Sequence, residues 1–191
     1  MFDFITIGSA TIDAFVESEA ADIVSVSTKK TSTEFMAFPY GAKVEIDSFR
    51  TAVGGGGLNA AANLANLGFN TSAIFKIGED FQGKTIKHKV KLAHVDTSNI
   101  IESKTETSGF SIILLSFEGN RTVLAHRGTN GTIKENEINY EAIKNSKWLY
   151  IAPLNGNSGA VLDKIAHFAE ENNTNVIINP GSSSLKKGLK Y

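Results

Sequence analysis

Cysteine is absent from the 191 residues, which removes disulfides, thiolate catalysis and cysteine-based metal sites. An excess of either charge is lacking too: nineteen Lys and Arg stand against twenty Asp and Glu, a formal net charge of -1. No broad field draws such a surface to nucleic acid or anionic lipid, so a small neutral or weakly charged ligand is the expected partner. Met1-Phe2-Asp3-Phe4 enters an apolar run without a basic leader, and no stretch nears the roughly 20 apolar residues of a membrane span. Cytoplasmic residence is the resulting expectation, with no nucleic-acid and no membrane partner. What is present, 41% hydrophobic residues, suffices for one domain, or for one core with an appendage.

Phe4 to Ile7 is apolar and β-prone and stops at Gly8-Ser9, which predicts a buried strand ending in a turn, with Asp13 just beyond it. From Ala14 to Val53, Ser, Thr and Lys interrupt short β-prone pieces such as Ala42 to Ile46 and Phe49 to Val53, the pattern of a small projecting sheet. Gly54 to Gly57 then open a run in which Leu58, Ala61, Ala62 and Ala65 recur at helical spacing up to Gly68. Thr71 to Ile77 reads as a strand, and Ile86, Val90 and Ala93 as one face of the next helix. Gly109 to Phe117 and Thr122 to Arg127 flank Glu118-Gly119-Asn120-Arg121 as a β-hairpin. A helix around Ile138 to Ile143, a strand from Trp148 to Ala152, a helix bearing Val161, Leu162, Ile165, Phe168 and Ala169, and a strand from Val176 to Ile178 complete the pattern. Strands alternating with helices predict an α/β fold with a mostly parallel sheet flanked by helices, in which ligands bind beyond the carboxyl ends of strands.

The glycine run carries the most information. Four residues without Cβ let the backbone approach a ligand, and the helix that follows is expected to offer free N–H donors to sugar hydroxyls or an anion. A permissive turn with tight helix packing is the alternative. Asn59, in the first helical turn, can both donate to and accept from hydroxyls, and Asp13 can accept two hydrogen bonds from vicinal hydroxyls or serve as a turn residue. Gly78-Glu79-Asp80-Phe81-Gln82-Gly83-Lys84-Thr85 spells the P-loop pattern between a strand and a helix. Glu79 and Asp80, however, put negative charge where such a loop surrounds phosphate with donors, so a P-loop NTPase is the lesser alternative. His88, His94, His126 and His167 have no metal-binding spacing, and Lys186, Lys187 and Lys190 read as a solvated basic tail.

Gly8 and Asp13 after the first strand, Gly54 to Asn59 opening a helix that ends at Leu67-Gly68, and Gly78-x-Asp80-x-x-Gly83 together resemble the ribokinase-like (PfkB) carbohydrate kinases. Thr107-Ser108-Gly109, Arg127-Gly128-Thr129-Asn130 and Asn179-Pro180 fit the same pattern, and the resemblance covers essentially the whole chain. It implies a ribokinase-like Rossmann-type core at 1–13 and 54–191, and a small β-sheet lid from the insertion at 14–53, to which the hairpin at 109–126 contributes. Asp13 would bind sugar hydroxyls, Gly55 and Gly56 would meet the substrate through backbone, Asn59 would support or contact it, and Arg127 would face the pocket. The expected partner is a sugar or nucleoside, with homodimerisation through the lid. Ribokinases carry Lys where Gly56 stands and Asn where Thr11 stands, which counts against ribose itself.

The resemblance also marks an absence. The family's second signature, D-T-x-G-A-G-D, supplies an anion hole and a base, and nothing in this sequence matches it. The metal-associated N-x-x-E pattern is spelled only at Asn99 to Glu102, before the hairpin. The expectation is therefore an N-terminal portion of such a kinase, with the C-terminal half of the fold missing and the catalytic residues beyond Tyr191. ATP and Mg²⁺ are expected for a full-length protein, and the chain alone is expected to be catalytically silent. A non-catalytic sugar-binding or dimerisation module is the alternative from another class.

Overall fold

In the first strand, β1 (Phe2–Ile7), alternation sorts the side chains: Ile5 and Ile7 enter one core. Thr6 between them faces the other way and donates from Oγ1 to the Gly57 carbonyl at 2.9 Å. The computed structural model describes residues 1–154, 156–181 and 185. It divides into two units, one formed by Met1–Ile12, Val53–Phe110 and His126–Tyr191, the other by Asp13–Ala52 and Ser111–Ala125.

Strand β2 (Thr11–Glu17) carries the chain into the second unit, where β3 (Asp22–Ser27) and β4 (Ser32–Ala37) pair antiparallel around a turn closed by Thr28 and Thr31. Strand β5 (Ser48–Gly54) returns the chain to the first unit. Ala42 to Ile46, expected to be β-prone, is irregular, because Ala42 N–H closes a turn onto the Pro39 carbonyl and Gly41 takes a φ of 75°. This unit buries Ala14 and Ala21 but leaves Val24, Val26, Phe35 and Phe49 about half exposed or more. Arg50 lies 4.1 Å over the Phe15 ring.

Back in the first unit, α1 (Gly56–Asn66) turns Leu58 and Ala61 inward, and β6 (Thr71–Ile74) and β7 (Lys76–Gly78) follow. The single strand expected over Thr71 to Ile77 is broken at Phe75, which is fully buried between the two pieces. Helix α2 (Phe81–Leu92) begins at Asp80, whose carboxylate accepts from Gly83 N–H, and β8 (Ile101–Ser103) pairs parallel with β7. Each of these helices stops in a residue of positive φ, Gly68 after α1 and His94 after α2. After α2 the His94 and Val95 amides reach the Lys91 and Val90 carbonyls, and the buried Val90 and Val95 share one core.

Strands β9 (Gly109–Leu115) and β10 (Arg121–His126) form the expected hairpin, and with β2 and β5 they make one sheet in the order β10-β9-β2-β5. Short α3 (Tyr140–Lys144), β11 (Ser146–Ile151), α4 (Gly159–Glu171) and β12 (Asn175–Ile178) finish the first unit. Its sheet has the order β12-β11-β1-β6 with every recorded pairing parallel, which agrees with the α/β expectation. One core joins Ile5, Ile7, Leu149 and Ile151 to Val161 and Ile165 of α4, and the other joins Ala73, Phe75 and Ile77 to Leu58 and Ile86. Helices thus flank the sheet, and the residues just after β1 and β11 meet the glycine run: a Cβ on Gly8 would stand 2.7 Å from Gly57 N, and one on Gly56 2.9 Å from Ala152 Cβ. Among the described residues no helix is long and apolar enough to cross a membrane.

Candidate functional site

The carboxyl end of β1 leads directly into the glycine run. A Cβ on Gly8 would stand 2.7 Å from Gly57 N, and one on Gly57 would stand 2.8 Å from Gly8 Cα, so these two backbones touch. Gly55 has a φ of 103°, and a Cβ there would meet the Ser9 carbonyl at 2.4 Å. Packing alone therefore demands glycine at 55 and 57, the structural reading that the sequence left open.

The start of α1 corrects one expectation. Gly56 N–H donates to Ser9 Oγ at 3.0 Å, while Gly57 and Leu58 N–H both donate to the Ser9 carbonyl at 3.1 and 3.2 Å. The first-turn donors are thus occupied by Ser9 and are not free for hydroxyls or an anion. Gly56 and Asn59 remain exposed, and Asn59 N–H closes the turn onto the Gly55 carbonyl at 2.9 Å. What this element offers a ligand is a close backbone surface and the Asn59 amide.

The other expected residues are distributed between the units. Asp13 is half-buried on β2 and is the first residue of the second unit, while Gly55, Gly56, Asn59 and Arg127 belong to the first. Arg127 is exposed at the start of a tight turn, Gly128–Gly131, and its carbonyl accepts from Asn130 N–H at 3.1 Å. That turn and the glycine run converge on Ser9-Ala10: Gly55 packs on Ala10, and the Asn130 side chain bonds both Ala10 backbone groups. Ser9 and Asn130 were not legible as contacts. Ser9 looked like a strand end, and Asn130 only continued the Arg127-Gly128-Thr129 string.

The P-loop lookalike is filled from within. Asp80 sits at its centre and accepts from Gly83 N–H and Ser108 Oγ, each at 2.7 Å, on one oxygen, and from Ser108 N–H, also at 2.7 Å, on the other. Burial alone would raise the Asp80 carboxyl, but the three donors outweigh it and hold the group below its ordinary 3.8. A Cβ on Gly83 would stand 2.0 Å from the Gly78 carbonyl, so this turn closes on itself and does not fit a phosphate. Asn99 and Glu102, which spell N-x-x-E, are structural: buried Asn99 bonds Ser72 and Asn139, and Glu102 pairs with Lys87. Among the described residues no three His, Asp or Glu side chains are grouped to hold a metal ion. The basic tail at Lys186, Lys187 and Lys190 lies outside the described residues.

Behind this surface Lys76 is buried, with its Nζ 2.8 Å from Glu106, 3.0 Å from Glu137 and 3.2 Å from the Thr132 carbonyl. Burial opposes its charge, yet the two carboxylates more than compensate and raise its pKa above the ordinary 10.5. This ion triad ties the segments on either side of the β9–β10 hairpin.

The sequence pattern of the pfkB family carbohydrate kinases matches residues 19–190. The chain belongs to that family. It is 31% identical over 143 residues to a ribokinase of Staphylococcus aureus (strain COL), covering 73% of this chain and 46% of that protein. It is 26% identical over 139 residues to an ATP-dependent ribose-1-phosphate kinase of Halopiger xanaduensis, again covering 73% of this chain and 46% of the relative. An Arabidopsis thaliana ribokinase, solved in complex with ribose and ATP, superposes with a TM-score of 0.74 at 20% identity, over 95% of this chain and 54% of that one. The ribokinase-like fold is thereby shown, and the pfkB chain spans about half the length of the relatives it matches.

Proposed function

We propose that this chain is the substrate-binding part of a kinase that moves a phosphoryl group from ATP, with Mg²⁺, to a hydroxymethyl group of a sugar, sugar acid or nucleoside. The observation that carries the reading is the junction of the glycine run with Ser9-Ala10. There Gly8, Gly55 and Gly57 leave no room for side chains, while Gly56 and Asn59 stay exposed beyond the end of β1. Asp13, Gly55, Gly56, Asn59 and Arg127 are the proposed substrate contacts: the carboxylate and amide for hydroxyls, the glycine backbone for close approach, and Arg127 for an anionic or polar substituent. Membership in a family of carbohydrate kinases, and a relative solved with ribose and ATP, support this choice.

In this reading the second unit, Asp13–Ala52 with Ser111–Ala125, is a lid, and the protein resides in the cytoplasm. The 191 residues alone are catalytically silent, since no D-T-x-G-A-G-D segment supplies an anion hole and a base. Calorimetric titration with D-ribose, D-fructose and 2-dehydro-3-deoxy-D-gluconate tests the binding role. At least one sugar should bind, and Asp13→Ala should abolish the heat. Sugar-dependent ADP release by the purified chain would overturn the claim of silence, and no binding by any of the three would count against the substrate role.

The half-exposed Val24, Val26, Phe35 and Phe49 of the second unit favour one companion reading, a homodimer formed through this sheet. Sedimentation velocity of the chain, with Phe35→Lys as the disrupting variant, decides it.

A further inference from the structure

One side chain holds both backbone groups of the residue from which β2 departs. Ala10, fully buried, donates its N–H to Asn130 Oδ1 at 2.9 Å and accepts at its carbonyl from Asn130 Nδ2 at 2.8 Å. The Asn130 amide thus stands in for the peptide of a neighbouring strand, at a point where Ala10 precedes β2 and has no ladder of its own. Two further features show that this is a built contact. A Cβ on Gly109 would lie 2.1 Å from Asn130 Nδ2 and 3.0 Å from the Ala10 carbonyl, so the amide occupies space that only glycine leaves at 109. The turn that presents Asn130 is itself pinned: Thr129 N–H donates to the Thr107 carbonyl at 2.9 Å, and Thr129 Oγ1 donates to the Lys76 carbonyl at 2.7 Å. Gly128, with a φ of 48°, lies where a Cβ would be 2.2 Å from the Thr107 carbonyl.

We infer that Asn130 is a positioning residue for substrate binding, clamping the root of β2 at Ala10 and so fixing where the strand delivers Asp13, three residues on. The inference rests on the sugar-binding reading of Asp13. An unclamped Ala10 would leave one buried donor and one buried acceptor unpaired, and they would recover partners only if the strand root moved. Asn130 does not need to touch the ligand. Its effect passes through backbone, so it changes the placement of the Asp13 carboxylate and leaves its chemistry unaltered.

The test uses the whole 191-residue chain as wild type, Asn130→Ala, Asn130→Gln, Asp13→Asn and the Asp13→Asn/Asn130→Ala double variant. Two readouts are taken: sugar affinity by calorimetry with the same three sugars, and amide hydrogen exchange by NMR. Asn130→Ala should speed exchange at Ala10 to Asp13 by about tenfold, weaken the bound sugar by about tenfold, and add little in the Asp13→Asn background. Asn130→Gln keeps both the donor and the acceptor on a side chain one methylene longer, so its effect should be intermediate; it also serves if Asn130→Ala does not fold. Unchanged exchange at Ala10 overturns the clamp. Accelerated exchange with sugar affinity within about twofold, or full additivity with Asp13→Asn, overturns the positioning role while sugar binding stands. If no sugar binds, or Asp13→Asn has no effect on affinity, the function reading fails and the positioning role falls with it; the exchange data still show whether the clamp exists.

Discussion

Asp80 and Ser108 are joined twice: the Ser108 N–H reaches one carboxylate oxygen of Asp80 at 2.7 Å, and the Ser108 hydroxyl reaches the other at 2.7 Å. The same hydroxyl accepts from Gly78 N–H at 2.9 Å, so the start of α2, the end of β7 and the root of β9 meet in one cluster. A charged carboxylate with three donors is worth more than a neutral one, and loss of such a hydrogen bond costs about 1.5–3 kcal/mol. Asp80→Asn should therefore destabilise the chain by about that amount in urea unfolding at pH 7.

The acid side gives a second check on the same group. Because the folded pKa lies below the ordinary 3.8, the contribution is fully present above that value and is lost as pH falls through the folded one. Wild type should lose stability relative to Asp80→Asn as pH is lowered from 5 toward 3. Parallel curves for the two proteins would show that Asp80 is not the group responsible.

With its centre occupied by Asp80, the Gly78 to Thr85 turn has no vacancy for phosphate. Lys84 is exposed on α2 and takes no part in the cluster. Lys84→Ala should leave any nucleotide affinity of the chain unchanged within error, measured by titration with ATP. A large loss on this substitution would revive the P-loop alternative.

The glycine run makes a sharper prediction about packing. A Cβ on Gly57 would press on Gly8 Cα at 2.8 Å, backbone against backbone, where neither side can yield without separating α1 from β1. Gly131, at negative φ with nothing within 4 Å of its Cβ position, is the matched control. Gly57→Ala should cost about 1–3 kcal/mol and Gly131→Ala less than about 0.5 kcal/mol in thermal or urea unfolding.

Local pattern revealed much of this, and its failures share a cause. Helical spacing found α1, α2 and α4, and apolar runs found β1, β11 and β12, because each is set by side chains close in sequence. The break at Phe75 was not legible, since Thr71 to Ile77 is uniformly β-prone and only tertiary packing splits it. His94 and Asn173 end α2 and α4 at φ of 58° and 57°, a task that pattern assigns to glycine. At the site, Gly55, Gly56 and Asn59 were visible because they are contiguous, whereas the Ser9 plug lies 47 residues from Gly56 and the Asn130 clamp 120 residues from Ala10. Contacts of that range leave no trace in spacing.

The buried triad at Lys76 tests how far such contacts hold the first unit together. Lys76 is 3% exposed, and its ammonium is matched by two carboxylates and a carbonyl. Removing the cation strands Glu106 and Glu137 side by side, and breaking a buried pair from one side costs about 3–5 kcal/mol. Lys76→Met should lose about that much at pH 7, more than Glu106→Gln, which leaves Lys76 its second carboxylate. The sign with pH follows from the raised pKa of Lys76: its contribution is complete below the ordinary 10.5 and is lost as pH rises through the folded value above it. Glu106 is held below its ordinary 4.5, first by its hydrogen bond with Lys76, so its share is present above 4.5 and is lost as pH falls through the folded value. Wild-type stability should therefore fall at both extremes relative to Lys76→Met, read by urea unfolding at pH 3.5, 7 and 11. An equal gap between the two proteins at all three would mean that packing of the lysine stem, and not its charge, supplies the stability.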